Sequence, residues 1–245
     1  MTTTPESLIP RPDEPLPTGA DKTRSVQAMF DVIAPRYDLV NRIMTFRMDV
    51  GWRRRTVGSL GLRPGSLVVD LACGTGDLAR ELADRHLVPL GADLSYGMLA
   101  AAPVPFDRLQ CDGSALPFGD GSLDGATCGF ALRNFTDLQA TVDELARVLR
   151  PGGRVAVVEV AEPPNPVLRA GHSVYFGRVV PLIGGLLSNA SAYQYLPRSV
   201  AYLPEWPELR AVLERAGFRD ASRTLLSGGI AQLITATREP SPAAV

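Results

Sequence analysis

The sequence predicts an α/β fold. A doubly wound, mostly parallel seven-stranded sheet carries an N-terminal helical cap, and an apolar helical insert follows the fifth strand. Three observations predict it. Short apolar runs alternate with amphipathic helical stretches over residues 67–159, the pattern of parallel strands joined by crossover helices. A glycine-rich turn, Cys73-Gly74-Thr75-Gly76, directly follows the first of these runs. Pro151-Gly152-Gly153 separates a well-patterned helix from a β-branched strand over 154–159.

The first segment carries Pro5, Pro10, Pro12, Pro15 and Pro17, so residues 1–22 are expected to be a disordered tail. A length of 245 residues suits one α/β domain, here 23–240, better than two. Val26, Met29, Phe30 and Ile33 fall at helical spacing until Pro35 interrupts them. Helices over 36–46 and 52–60 complete a cap spanning 23–62. Strands follow over 67–69, 87–92, 106–111 and 123–129. Helices are expected over 77–85, near Met98 and over 137–149, where Leu138, Val142, Leu145, Val148 and Leu149 share a face. A helix over 209–216 and strands near Ser222 and Ile230 close the sheet as a hairpin. The insert, 163–200, breaks this rhythm. Its apolar stretch 167–187 includes Tyr175, Phe176, Val179, Leu182, Leu186 and Leu187, interrupted by Arg178 and Pro181. It is either a helix pair covering the core or a lid for an apolar substrate.

Composition excludes several classes. The net charge of -1 gives no global field toward nucleic acid or an anionic membrane, which leaves only a local arginine cluster to supply one. Residues 1–20 do not resemble a signal peptide, and no apolar run is long enough to span a bilayer. Cys73, Cys111 and Cys128 have neither disulfide nor zinc spacing, and two histidines make a histidine metal site improbable. Cys73 reads as a small spacer rather than a nucleophile. A cytoplasmic protein without a metal is expected.

The chemistry concentrates at the carboxyl ends of the strands, where doubly wound sheets bind ligands. The first strand ends in Asp70, and Gly74 and Gly76 then let the backbone bend close to a ligand at the start of a helix. This spacing is wrong for a pyrophosphate fingerprint, and Asp70 would repel a phosphate. A carboxylate there suits a cationic ligand such as S-adenosylmethionine (SAM), with its amino group and sulfonium. Asp93, ending the second strand, suits ribose hydroxyls. Asp112, before Gly113, suits an adenine amino group.

Further blocks are specific. Tyr37-Asp38 with Asn41, Thr45, Asp49 and Trp52 lies in the cap, and Arg147-Val148-Leu149-Arg150-Pro151-Gly152-Gly153 at the last helix-to-strand turn. Between them stand Ala115-Leu116-Pro117-Phe118 and Phe130-Ala131-Leu132-Arg133-Asn134, and 189–196 reads Asn-Ala-Ser-Ala-Tyr-Gln-Tyr-Leu. Over nearly everything from Ser25 to the last strand, the chain resembles the ubiquinone/menaquinone biosynthesis C-methyltransferase family, of the demethylmenaquinone methyltransferase type. The resemblance implies a Rossmann-like class I methyltransferase fold, SAM as cofactor, and SAM contacts from Thr75, Asp93, Asp112 and Gly113. Two positions depart from the family pattern. Gly129 stands where a serine is usual, which leaves only a backbone contact. Ile234 stands where the last strand usually has a histidine.

The acceptor implied by the resemblance is a reduced polyprenyl quinone precursor, most simply demethylmenaquinol. Such a ring carbon becomes nucleophilic as a hydroxyl proton leaves, so the protein must orient the ring and stabilise a phenolate. Arg133 and Asn134 are expected to face the quinol, with Tyr37 closing from the cap. The alternatives are a salt-bridged Arg133, a helix-capping Asn134 and a merely packed Tyr37. Arg42, Arg47, Arg53, Arg54 and Arg55 surround Trp52, either as a solvated face or as a peripheral contact with anionic headgroups. A nucleic-acid amino methyltransferase would show an Asp/Asn-Pro-Pro-aromatic motif after the fourth strand, and Leu132-Arg133-Asn134 is there instead. A C- or O-methyltransferase of another aromatic metabolite is the closer rival, favoured by Gly129 and Ile234. A protein that keeps SAM without transferring its methyl group is a third class.

Overall fold

The structure is a computed structural model that describes residues 5–11, 14–103 and 105–240. Three helices form the cap: α1 (Gly19–Ile33), α2 (Tyr37–Met44) and α3 (Met48–Ser59). The sheet then begins with β1 (Leu67–Leu71), α4 (Asp77–Asp84), β2 (Val88–Asp93), α5 (Tyr96–Ala100), β3 (Asp107–Gln110) and β4 (Leu123–Gly129). It continues through α6 (Leu138–Val148) to β5 (Leu149–Val160). The insert comprises α7 (Pro166–Val174), a π-turn (Tyr175–Val179), α8 (Val180–Leu187) and α9 (Ala190–Ser199). The chain closes with α10 (Trp206–Arg215), β6 (Phe218–Leu226) and β7 (Ala231–Arg238).

All seven strands lie in one sheet of order β3-β2-β1-β4-β5-β7-β6. The first five pair in parallel, and β7 runs antiparallel between β5 and β6. Parallel strands buried on both faces need apolar runs, and Val68 and Val69 in β1 are both fully buried. On one face α6 and α10 set Val142, Leu145, Leu209 and Leu213 against Cys128, Val157 and Ile234. On the other, α3 and α4 set Val57, Leu60, Leu78 and Leu82 against Val68 and Ala156. Chain order reverses between β1 and β4, so a crevice opens beyond their carboxyl ends.

The expected tail of residues 1–22 differs in its described part. A 3-10 turn spans Pro5–Leu8, Ile9 is buried, and α1 already begins at Gly19. Prolines prevent a regular helix here but not docking: Ile9 packs with Val26, Met29 and Tyr193, and Arg198 donates to the Arg11 carbonyl at 2.8 Å. The insert also divides. Neither α7 nor the π-turn buries a residue, whereas α9 places Tyr193 and Tyr195 in the cap's own core. Gly184 in α8 makes that docking feasible, because a Cβ there would overlap the Tyr193 ring. Gly184→Ala should therefore destabilise the protein by about 1–3 kcal/mol through overpacking, against the roughly 1 kcal/mol that Ala normally gains in a helix. Thermal unfolding checks the sign.

Candidate active site

A cavity of about 400 Å³ fills the crevice, between the strand ends and the cap. Its floor is Asp70 to Thr75 from the β1 end, Asp93 to Ser95 from β2, Cys111 to Ser114 after β3, and Gly129 to Ala131 from β4. Its roof is Val26, Gln27, Phe30 and Tyr37 of the cap, with Arg53. Two non-glycine residues on the floor, Ala72 (φ 52°) and Phe130 (φ 58°), hold left-handed backbone at the ends of the two switch-point strands. Such backbone costs of order 1 kcal/mol each and persists where packing imposes it. The Phe130 amide donates to the Val158 carbonyl at 2.7 Å, and its ring packs 6.2 Å from Trp52.

Each carboxylate expected from the strand ends is present, with different partners. Asp70 is 1% exposed; its Oδ1 accepts from Thr127 Oγ1 at 2.9 Å, while its Oδ2 has no hydrogen-bond partner. Burial pushes its carboxyl up to about 7, opposed by the Thr127 hydrogen bond. Asp93 accepts from the Gly74 amide at 2.7 Å and the Ser95 amide at 2.8 Å, thereby fixing the glycine loop. Burial raises its pKa, and these two amides act the other way. Asp112 is exposed, and its Oδ1 accepts from the Ser114 amide and hydroxyl at 2.9 and 2.8 Å. Gly113 lines the cavity beside it.

Gly74 (φ 56°) lines the cavity, and a Cβ on it would meet Met98 Cε at 2.9 Å. Gly76 is not among the lining residues. It is the left-handed cap of α4 (φ 85°), whose amide donates to the Cys73 carbonyl, and a Cβ there would overlap the Phe106 ring. Its role is to shape the loop. Thr75 is buried and donates from its hydroxyl to Asp38 Oδ1 at 2.6 Å, tying the loop to the cap. Asp38, Asp49 and Asp77 alternate with Arg42, Arg53 and Arg80 in a network, with Arg53 at 2.6 Å from Asp49 and 2.8 Å from Asp77.

The acceptor-side residues separate. Arg133 is not among the lining residues, contrary to the expectation that it faces the acceptor. It turns inward to ion-pair with fully buried Glu159, donates to the Phe130 carbonyl at 2.7 Å, and meets Ser199 Oγ at 3.2 Å. A carboxylate inside β5 demands a cation, and Arg133 supplies it. Asn134 does line the cavity, 9% exposed, and neither its Oδ1 nor its Nδ2 has a partner. It does not cap α6, because Asp137 does so by accepting from the Ala140 amide at 2.9 Å. Tyr37 lines the roof, edge-on to Phe30 at 6.1 Å, and burial raises its pKa. Gly129 lines the floor through its backbone, and Ile234, in β7 opposite Val157 of β5, sits in the core rather than in the lining. Sequence reasoning missed Asp31, which accepts from Ser95 Oγ at 2.5 Å and the Gly97 amide at 2.9 Å and so locks α1 to the β2 loop. No local pattern marks a contact across 64 residues; Ser95 as the cap of α5 was readable.

The donor set fits SAM. A buried carboxylate with a free oxygen suits a cation, loop amides approach closely, and carboxylates end the neighbouring strands. The sequence model of the ubiE/COQ5 methyltransferase family matches residues 18–238. The chain belongs to the ubiE/COQ5 methyltransferase family. Among its relatives, demethylmenaquinone methyltransferase of Thermus thermophilus is 43% identical over 84% of this chain and 97% of its own length. That of Desulfitobacterium hafniense is 38% identical over 89% and 91%. Ubiquinone/menaquinone biosynthesis C-methyltransferase UbiE of Geobacter sulfurreducens is 38% identical over 88% and 89%. Solved structures agree on the fold. A SAM-dependent methyltransferase of Thermotoga maritima superposes with a TM-score of 0.61 at 18% identity, over 87% of this chain and 99% of that one. Phosphoethanolamine N-methyltransferase 2 of Haemonchus contortus, solved with SAM, gives 0.58 at 15% identity over 77% of this chain, which spans about half (52%) of that longer protein. This family member thus has the class I methyltransferase fold expected of it.

Proposed function

We propose that this methyltransferase transfers the methyl group of SAM to a ring carbon of a reduced polyprenyl quinone precursor, converting a demethylmenaquinol to a menaquinol. One observation carries the reading: relatives named demethylmenaquinone methyltransferase align over 84% and 89% of the chain at 43% and 38% identity. SAM, when bound, supplies an electrophilic methyl group on a sulfonium. Asp70, with its free buried oxygen, holds a positive charge; Asp93, Asp112, Gly113 and the backbone at Gly74 and Gly129 hold the remainder of the cofactor.

Asn134 offers the acceptor an amide with both polar atoms free, at the end of β4. Its Nδ2 donates to the oxygen on which negative charge develops, in a site roofed by the cap. Tyr37 stays protonated, because burial raises its pKa, and therefore donates rather than acts as a base. Phe30, Val26 and Phe130 give the ring apolar surroundings and hold it in line. Arg133 acts through another group: pinned to Glu159 and the Phe130 carbonyl, it holds the turn that presents Asn134. The acceptor is lipophilic, so the enzyme works on the cytoplasmic side in peripheral contact with a membrane. Among the described residues no helix is long and apolar enough to cross one.

Asn134→Ala should lower kcat by about 100-fold, the scale for losing one donor to a developing oxyanion, with SAM affinity kept within about threefold. Single-turnover kinetics and calorimetry separate the two. Deleting the gene and analysing the cell's quinones by mass spectrometry tests the acceptor. Accumulation of the demethyl quinone supports the reading, and an unchanged pool contradicts it.

A further inference from the structure

The outer face of the cap and insert is apolar where a fully solvated surface has no use for it. In α2, Leu39 and Ile43 are 54% and 40% exposed, and just beyond its end Phe46 is 71% exposed. In α8, Leu182 and Leu186 are 63% and 77% exposed. These two helices lie antiparallel. Arg36, at the start of α2, donates to the Leu187 carbonyl at the end of α8 at 2.7 Å. At the other end, Tyr175 of the π-turn donates to the Met44 carbonyl at 2.8 Å, and its ring lies 5.8 Å from Phe46. The five exposed side chains therefore belong to one surface. Phe46 and Arg47 both hold left-handed backbone (φ 51° and 61°), which for two consecutive non-glycine residues is strained. This backbone is kept with the Phe46 ring against Tyr175 and largely exposed.

Charge indicates what this surface meets. Residues 163–204 contain no Asp or Glu but include Arg169, Arg178 and Arg198. Arg36, Arg47 and Arg178 are exposed around the apolar side chains, while Arg42 pairs with Asp38 and Asp77. The whole chain carries -1, so this basic face is local. Apolar side chains ringed by arginines match an anionic bilayer, with apolar groups below the headgroups and guanidiniums on the phosphates. A second copy on a two-fold axis would instead set arginines against arginines.

We propose that the α2–α8 face docks the enzyme on anionic lipid membranes, with Phe46 and Leu186 inserted and Arg36, Arg47 and Arg178 on the headgroups. The docking deepens the proposed function and rests on its lipophilic acceptor: Tyr37, on α2 itself, lines the cavity, so the helix that docks also helps to roof the acceptor site. Docking then brings a bilayer-borne acceptor beside the helix that roofs its site.

Co-sedimentation with phosphatidylcholine vesicles, with and without phosphatidylglycerol, tests this for wild type and the double variant Phe46→Asp/Leu186→Asp. Both substitutions are on exposed side chains, and an unchanged melting temperature checks folding. Wild type should partition onto the anionic vesicles about tenfold or more above the zwitterionic ones, lose binding as salt rises, and lose it in the double variant. Turnover of a tail-less, water-soluble reduced naphthoquinone should be the same in both proteins. Wild type remaining in the supernatant with anionic vesicles at low salt would overturn the proposal. Equal vesicle binding by the double variant would also overturn it, as would a dimer that the double variant dissociates without any vesicle binding. Vesicle binding without turnover of any quinol would retain the docking and reject the acceptor.

Discussion

Asp70→Asn should bind SAM about 100-fold or more weakly, yet unfold at a higher temperature than the cofactor-free wild type above pH 7. Both results follow from one buried oxygen. Asp70 Oδ2 is buried without a partner, and burial lifts the carboxyl to about 7 from an ordinary 3.8. Below 3.8 the group is protonated in both folded and unfolded chains and contributes nothing. Between 3.8 and 7 the folded protein retains a proton that the unfolded chain has lost, so stability falls as pH rises. Above 7 the full deficit of about 4 kcal/mol is present. An asparagine buries a neutral group and still accepts from Thr127, so the gain in melting temperature, on the order of 10 °C, should be seen at pH 8 and vanish near pH 4. A bound cation reverses the balance, because it pairs with the charge that burial penalises. Removing one partner of such a buried pair costs several kcal/mol of affinity. Wild-type SAM affinity should therefore rise by up to about tenfold per pH unit from pH 5 and level off above 7, and Asp70→Asn should lose that dependence. Calorimetry across pH reads both effects.

Arg133→Ala should lose about 3–5 kcal/mol of stability, or roughly 10 °C in melting temperature. It strands Glu159, which is fully buried and has one oxygen already without a partner. Removing both charges in Arg133→Met/Glu159→Gln should recover most of the loss, because the penalty is the unpaired carboxylate rather than the missing ion pair. SAM affinity of the folded fraction should stay close to wild type in both variants, since Arg133 lines none of the cavity and meets its floor only at the Phe130 carbonyl. If Arg133→Ala melted like wild type, the ion pair would not be holding the β4 turn. If SAM affinity collapsed, the turn would belong to the cofactor site.

Neighbouring residues mark the limit of what the sequence makes legible. Arg133 and Asn134 share one 3-10 turn, and periodicity cannot say which of two adjacent polar side chains turns inward. A signal was nevertheless present: Glu159 follows Val155 to Val158 in the stretch of β5 that is buried throughout, and such an acid needs a cation from elsewhere. The alternation that predicts parallel strands also locates the cofactor loop, because apolar runs, glycines and strand-end aspartates are all local patterns. The place of β7 between β5 and β6, the Asp38–Thr75 and Asp31–Ser95 clasps, and the docking of Ile9 on α1 depend on contacts between distant segments. Ile234 is the converse case. Read as a departure on the acceptor side, it lies in the core against Val157 and Phe218, so the change alters packing rather than the cavity wall.

The central claim is methyl transfer from SAM to a ring carbon of a quinol. Incubating the purified protein with SAM carrying a deuterated methyl group and a chemically reduced demethylmenaquinone tests it directly, with tandem mass spectrometry of the product. The predicted result is a label retained on the naphthoquinone ring after air oxidation, which an ether methyl would not survive as the free quinone. Label recovered on oxygen, or S-adenosylhomocysteine formed only with another aromatic acceptor, would contradict it.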